Sequence, residues 1–65
     1  MLIRGDIVLV KRGYVVGDSR EVKDFDPSII AVYLHPSAAI PFLLFDYEGK
    51  PLRALQEDIE LVFST

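Results

Sequence analysis

The sequence predicts an all-β domain, a small five-stranded barrel, on three observations. Apolar residues fall in short runs rich in β-branched and aromatic side chains. Clusters of Gly, Pro, Asp and Ser separate these runs. The longest largely apolar run, residues 40–47 (IPFLLFDY), closes on Glu48-Gly49-Lys50-Pro51, a strong hairpin signal.

Residues 7–10 (IVLV) form the first strand, entered through Gly5-Asp6 and ended by Lys11-Arg12-Gly13. Ile7 and Leu9 face one side, Val8 and Val10 the other. Residues 14–16 (YVV) are a short continuation. Residues 17–28 are mostly polar, with Asp18, Glu21, Asp24 and Asp26 interleaved with Arg20 and Lys23. They read as a long loop after the first strand, with Asp26-Pro27-Ser28 as its turn signature. Residues 29–34 (IIAVYL) make the next strand, Ile30, Val32 and Leu34 on one face, Ile29, Ala31 and Tyr33 on the other. His35-Pro36-Ser37-Ala38-Ala39 connects it to the run at 40–47, where Pro41 fits the first strand positions and Phe42 and Leu44 alternate against Leu43 and Phe45.

Two patterns overlap over residues 51–62. Leu52, Leu55, Ile59 and Val62 recur at helical steps behind Pro51, whereas Ile59, Leu61 and Phe63 alternate with Glu60, Val62 and Ser64. The preferred reading is a short strand at 52–54, a 3₁₀ turn at 55–58 and a closing strand at 59–63. A helix over 51–62 is the alternative.

Sixty-five residues make a single domain, residues 1–65, near the lower limit of what folds alone. No cysteine is present, which excludes disulfides and thiolate metal sites, and one histidine excludes a His-based metal cage within the chain. No cofactor or metal site is expected. The lack of cysteine suits a cytoplasmic location. No segment reaches the roughly 18 apolar residues of a membrane span. Arg4 and Asp6 interrupt the N-terminal apolar stretch, against a signal peptide. A net charge of −3 argues against a phosphate-backbone binder, so nucleic acid is not the expected partner.

The order of pieces resembles the SH3-like small-barrel superfamily. Gly5-Asp6-Ile7-Val8 is similar to the G-D-x-V opening of those domains, and Gln56-Glu57-Asp58-Ile59-Glu60-Leu61-Val62 to their acidic pair before the closing strand. The resemblance implies a long polar loop, a three-strand meander, a 3₁₀ turn and a last strand, and points to a fold without a specific family. Leu44-Phe45-Asp46-Tyr47-Glu48 resembles the A-L-Y-D-Y segment of peptide-binding SH3 domains. Only 17 residues follow it and the chain has no tryptophan. Residues 5–13 (GDIVLVKRG) resemble the opening of the plasmid-type dihydrofolate reductase, whose V-Q-I-Y motif is missing here.

Single residues give little chemistry. His35 and Ser37 lie two residues apart in a loop, without the rigid support a nucleophile–base pair needs. The carboxylates of residues 18–26 lack the spacing of a calcium loop. Arg4-Gly5-Asp6 matches an adhesion tripeptide by letters and reads as structural. Lys11-Arg12-Gly13-Tyr14 joins two cations to an aromatic, the minimum for a nucleic-acid contact in a small barrel. No catalytic residue is assigned.

Surplus hydrophobicity is the stronger signal, at 51% of residues. The strands at 7–10, 29–34 and 40–45 are apolar on both faces, while a barrel has one interior. The expectation is a non-catalytic protein-interaction module that self-associates, most simply as a two-fold homodimer. Its contact residues are Val8, Val10, Tyr14, Tyr33, Leu43, Phe45 and Tyr47. The rival readings are an oligomeric enzyme or ligand-binding barrel with its site at the subunit interface, and a nucleic-acid accessory barrel.

Overall fold

A computed structural model describes residues 1–17 and 20–65. Among the described residues five strands make up the fold: β1 (Ile7–Val15), β2 (Lys23–Pro36), β3 (Leu43–Tyr47), β4 (Lys50–Ala54) and β5 (Ile59–Phe63). A 3₁₀ turn, Gln56–Asp58, precedes β5; the Asp58 N–H donates to the Leu55 carbonyl at 3.0 Å. Every pairing is antiparallel. Strands β1, β2, β3 and β4 close a ring, because β1 pairs with both β2 and β4, and β5 adds to β1 as a fifth strand. This is a small all-β barrel, consistent at a coarse level with the SH3-like fold. The competing patterns over residues 51–62 resolve as strand, turn and strand, with no helix.

Element boundaries depart from the sequence reading in several places. The long polar loop shortens to residues 16–22, because Arg12 stands opposite Asp24 and Gly13 opposite Lys23. Asp26-Pro27-Ser28 is not a turn but part of a large bulge in β2. Four residues there, 25–28, stand against Lys11 of β1 alone, which spares Pro27 a place in the ladder. Strand β3 begins at Leu43 rather than Ile40, since residues 37–42 fold into a loop of their own. Ser37 N–H donates to the Phe42 carbonyl at 3.0 Å, Phe42 N–H to the Ala39 carbonyl at 2.9 Å, and Ala39 N–H to Ser37 Oγ at 3.1 Å. The hairpin joining β3 to β4 turns on two residues, Glu48 (φ 51°) and Gly49 (φ 83°), and Lys50 and Pro51 already belong to β4. Asp18, one of the carboxylates of the polar stretch, lies outside the described residues.

Val8, Val10, Ala31, Tyr33, Phe45, Leu52 and Ala54 form the core, with Leu2, Phe25, Ile29, Leu43, Tyr47 and Ile59 packed against it. The ladder builds this directly. Val8 faces Ala31, Tyr33 faces Phe45, and Phe45 faces Leu52, while the Tyr33 and Phe45 rings meet edge-to-face at 5.6 Å. Alternation alone leaves the inner face open, and the barrel decides it: Val8, Val10, Tyr33, Leu43 and Phe45, expected as contact residues, point into the barrel, and Ile7, Leu9, Ile30 and Val32 point out. The inner set contains Ala31 and Ala54, small enough to stand beside large aromatics in a narrow interior. A face of Ile30, Val32 and Leu34 has no such relief.

Asp6 ties the two ends of the described chain together. Its Oδ2 accepts the Ile3 N–H at 2.9 Å and its Oδ1 the Thr65 N–H at 2.8 Å. Its main chain is held as firmly, with the Tyr33 N–H donating to the Asp6 carbonyl and the Gly5 N–H to the Tyr33 carbonyl. The Thr65 and Ile3 amides hold the carboxyl below its usual range, against a smaller opposing effect of burial. Gly5 adopts φ 99°, the left-handed region, where a side chain would also meet Thr65 Oγ1.

Candidate functional site

The residues expected to meet a partner divide three ways. Val8, Val10 and Phe45 are wholly buried and Tyr33 nearly so, and all four belong to the core. The folded barrel leaves none of them available as a contact surface. Leu43 and Tyr47 are half-buried against that core. Tyr14 is also buried, yet it stands outside the core cluster, on the opposite side of the wall.

The outer wall carries an apolar strip that the ladder assembles from three strands. Phe63 of β5 stands opposite Ile7 of β1, which stands opposite Val32 of β2. In the neighbouring row Glu60 faces Leu9, and Leu9 faces Ile30. Ile30 is 63% exposed and Phe63 66%, whereas Ile7, Leu9 and Val32 between them are half-buried. Asp46, opposite Val32, and Glu60 place charge at the margin. The free edge of β5 is a poorer docking element. A register shift leaves Val62 without an opposite residue in β1, and bulged, short edges resist further strand pairing.

A second cluster centres on Arg53, in the middle of β4 between two inward-facing residues, Leu52 and Ala54. On the outer wall it has Tyr14 of β1 on one side and Leu44 of β3 on the other. Gly13 makes this meeting possible. A Cβ there would stand 2.5 Å from the Arg53 carbonyl oxygen and 3.1 Å from Ala54 Cβ, so only a glycine lets β1 press onto β4. Arg53 Nη1 donates to the Tyr14 hydroxyl at 3.1 Å, and its guanidinium carbon sits 5.9 Å from the Tyr14 ring centre, at the outer limit of a cation–π contact. The Phe42 ring meets Tyr14 edge-on at 5.4 Å and 82°. Arg53 Nε is buried and has no acceptor. Leaving a donor unmade in a buried site costs about 1–3 kcal/mol, more for a charged group.

Several other polar groups among the described residues are already committed. Arg12 Nε pairs with Asp24 Oδ1 at 2.7 Å across the β1–β2 ladder, both side chains well exposed. The hydrogen bond and charge of Asp24, with Asp58 and Glu57 nearby, raise the affinity of Arg12 for its proton. Ser37 Oγ caps its own loop, and His35 Nδ1 donates to the Pro36 carbonyl at 2.8 Å, so the two are not joined. Among the described residues no group of three or more acidic or histidine side chains could hold a metal ion. Asp6 of the Arg4-Gly5-Asp6 tripeptide is buried in its structural clasp. Tyr14, the aromatic of Lys11-Arg12-Gly13-Tyr14, is only 6% exposed and offers no face for base stacking.

Arg53 and Phe42 were missed by sequence reasoning. An arginine flanked by Leu52 and Ala54 in a strand is an ordinary outward residue, and nothing in the sequence shows that Tyr14 will cover it. Comparison with protein-family models, with curated proteins and with solved structures finds no match. Among the described residues no helix is long and apolar enough to cross a membrane.

Proposed function

We propose that the chain is a non-catalytic protein-interaction module that self-associates through the outer wall of β1, β2 and β5. The reading keeps the SH3-like resemblance at the level of fold, and the cysteine-free composition supports a cytoplasmic setting. One observation carries it: Ile30 and Phe63 lie exposed at two ends of a strip whose middle is Ile7, Leu9 and Val32. Side chains of this type, side by side and rimmed by Glu60 and Asp46, mark surfaces that gain by being covered. A two-fold axis through the strip would set this surface against itself, the isologous arrangement of a homodimer.

Static light scattering over a dilution series tests the reading. The solution mass should rise above the 7.3 kDa of one chain as concentration increases. Ile30→Lys, at a position already 63% exposed, should hold the mass at one chain while leaving the circular dichroism spectrum unchanged. A strict monomer at every concentration would overturn self-association.

A further inference from the structure

We infer that Asp6 is a latch for the self-association surface: by binding the Thr65 amide it keeps the end of β5, and with it Phe63, on the outer wall beside Ile7. The inference rests on the self-association proposed for β1, β2 and β5, and it names the residue that positions one end of that surface. Phe63, the last residue of β5, stands opposite Ile7, the first of β1. Just beyond this pair the Thr65 N–H donates to Asp6 Oδ1 at 2.8 Å, which closes the end of the β1–β5 ladder. The Ile3 N–H donates to Oδ2 at 2.9 Å and fixes the carboxylate from its other side. The Thr65 hydroxyl adds a hydrogen bond of its own to the carboxylate.

Two observations separate the latch from ordinary support of the core. The end of β5 gives little to the interior: Ile59 packs against the core, whereas Leu61, Val62 and Phe63 are half exposed or more. Strand β5 is also paired with β1 alone, and the register shift between Ile7 and Val8 interrupts that ladder next to Phe63. A strand end so placed, with few buried contacts, is one that opens readily unless it is tied down. Here it is tied by a carboxylate only 1% exposed, a costly group to bury. Gly5 leaves room for the tie, because a Cβ there would stand 2.8 Å from Thr65 Oγ1. Polar structure that places exposed apolar residues rather than core residues is expected where binding is served and not folding alone. A Phe63 already held beside Ile7 also loses less freedom on docking than one on a frayed strand.

Light scattering and NMR of the full chain at pH 7 test the latch with Asp6→Asn, which keeps one acceptor and turns an amide donor toward the other N–H. Contacts between the Phe63 ring and the Ile7 methyls should disappear while those between Tyr33 and Phe45 persist. The dissociation constant for self-association should rise about tenfold or more, the effect of losing an aromatic anchor. Phe63→Ser, at an exposed position, should weaken association to a similar degree. Adding Asp6→Asn to Phe63→Ser should then change the constant by less than about twofold, since both act through one side chain. A carboxylate that merely stabilised the barrel would weaken association equally in either background. Where Asp6→Asn fails to fold, Thr65→Ala, which keeps the carboxylate and both amides, takes its place, with a severalfold effect expected on the same readouts. Intact Phe63–Ile7 contacts in the variant, unchanged association once they are lost, or an equal loss in the Phe63→Ser background would each overturn the latch. A wild-type chain that never associates overturns the underlying reading instead, a result distinct from a chain that associates equally with and without its latch.

Discussion

Asp6 shows how much structure one carboxylate can hold. Its two oxygens accept the Ile3 and Thr65 amides, and its folded-state affinity for a proton is lowered by those bonds. An unfolded chain protonates this group near 3.8, the folded chain only at lower pH. Its contribution to stability is therefore complete above the unfolded value and disappears as pH falls through the folded one. Urea unfolding at pH 7, 5 and 3 should show Asp6→Asn less stable than wild type at pH 7. The difference should shrink at pH 3, and an equal deficit at all three values would remove the carboxylate from the account. Gly13 acts by what it lacks. Gly13→Ala would drive a Cβ into the Arg53 backbone, which cannot rotate aside, and should cost about 1–3 kcal/mol, the usual penalty for overpacking. The same variant should shift the Tyr14 ring resonances, since β1 must lift from β4.

At the scale of elements, what could be read from the sequence follows from how much each signal depends on neighbours. Strand existence is local. The runs at 7–10, 29–34 and 59–63 and the 3₁₀ turn are all present, because β-branched runs and punctuation act within a few residues. The orientation of faces is not local. Where four residues in a row are apolar, alternation gives two equal sets, and only the width of the closed barrel chooses between them. The alanines at 31 and 54 carried that information, since the wall containing them is the one that can face Phe45. The extension of β2 back to Lys23 was hidden by its polar composition; cross-strand pairing such as Arg12 with Asp24 keeps a charged segment in the ladder. That pair is exposed, so its contribution is weak and salt-screened. Asp24→Asn should leave the unfolding midpoint at 0.5 M salt unchanged within error. A substantial loss there would mean that the pair holds the bulge at residues 25–28 in place.

The whole molecule is near the size at which one core suffices. Its 4423 Å² surface compares with about 4200 Å² expected for a compact monomer of this mass, so the exposed strip does not reflect a loose fold. Stability for a chain of this length is on the order of 3–10 kcal/mol. Phe45→Ala removes the largest fully buried side chain at a cost of about 3–5 kcal/mol, which at the low end of that stability leaves much of the population unfolded at 25 °C. Self-association changes this balance, because a partner that binds only the folded chain stabilises it by mass action. At a free concentration ten times the dissociation constant the gain is about 1.4 kcal/mol. In a domain this small that amounts to a rise of roughly 5–10 °C in the thermal midpoint. Differential scanning calorimetry of the wild-type chain from low micromolar to millimolar should therefore show a midpoint that climbs with concentration. The Ile30→Lys midpoint should stay level, because the lysine faces the same water in folded and unfolded chains but cannot enter the shared strip. Parallel climbs in both would place the contact elsewhere on the molecule. Two level traces would mean that the outer wall of β1, β2 and β5 is covered by a different protein, or by none.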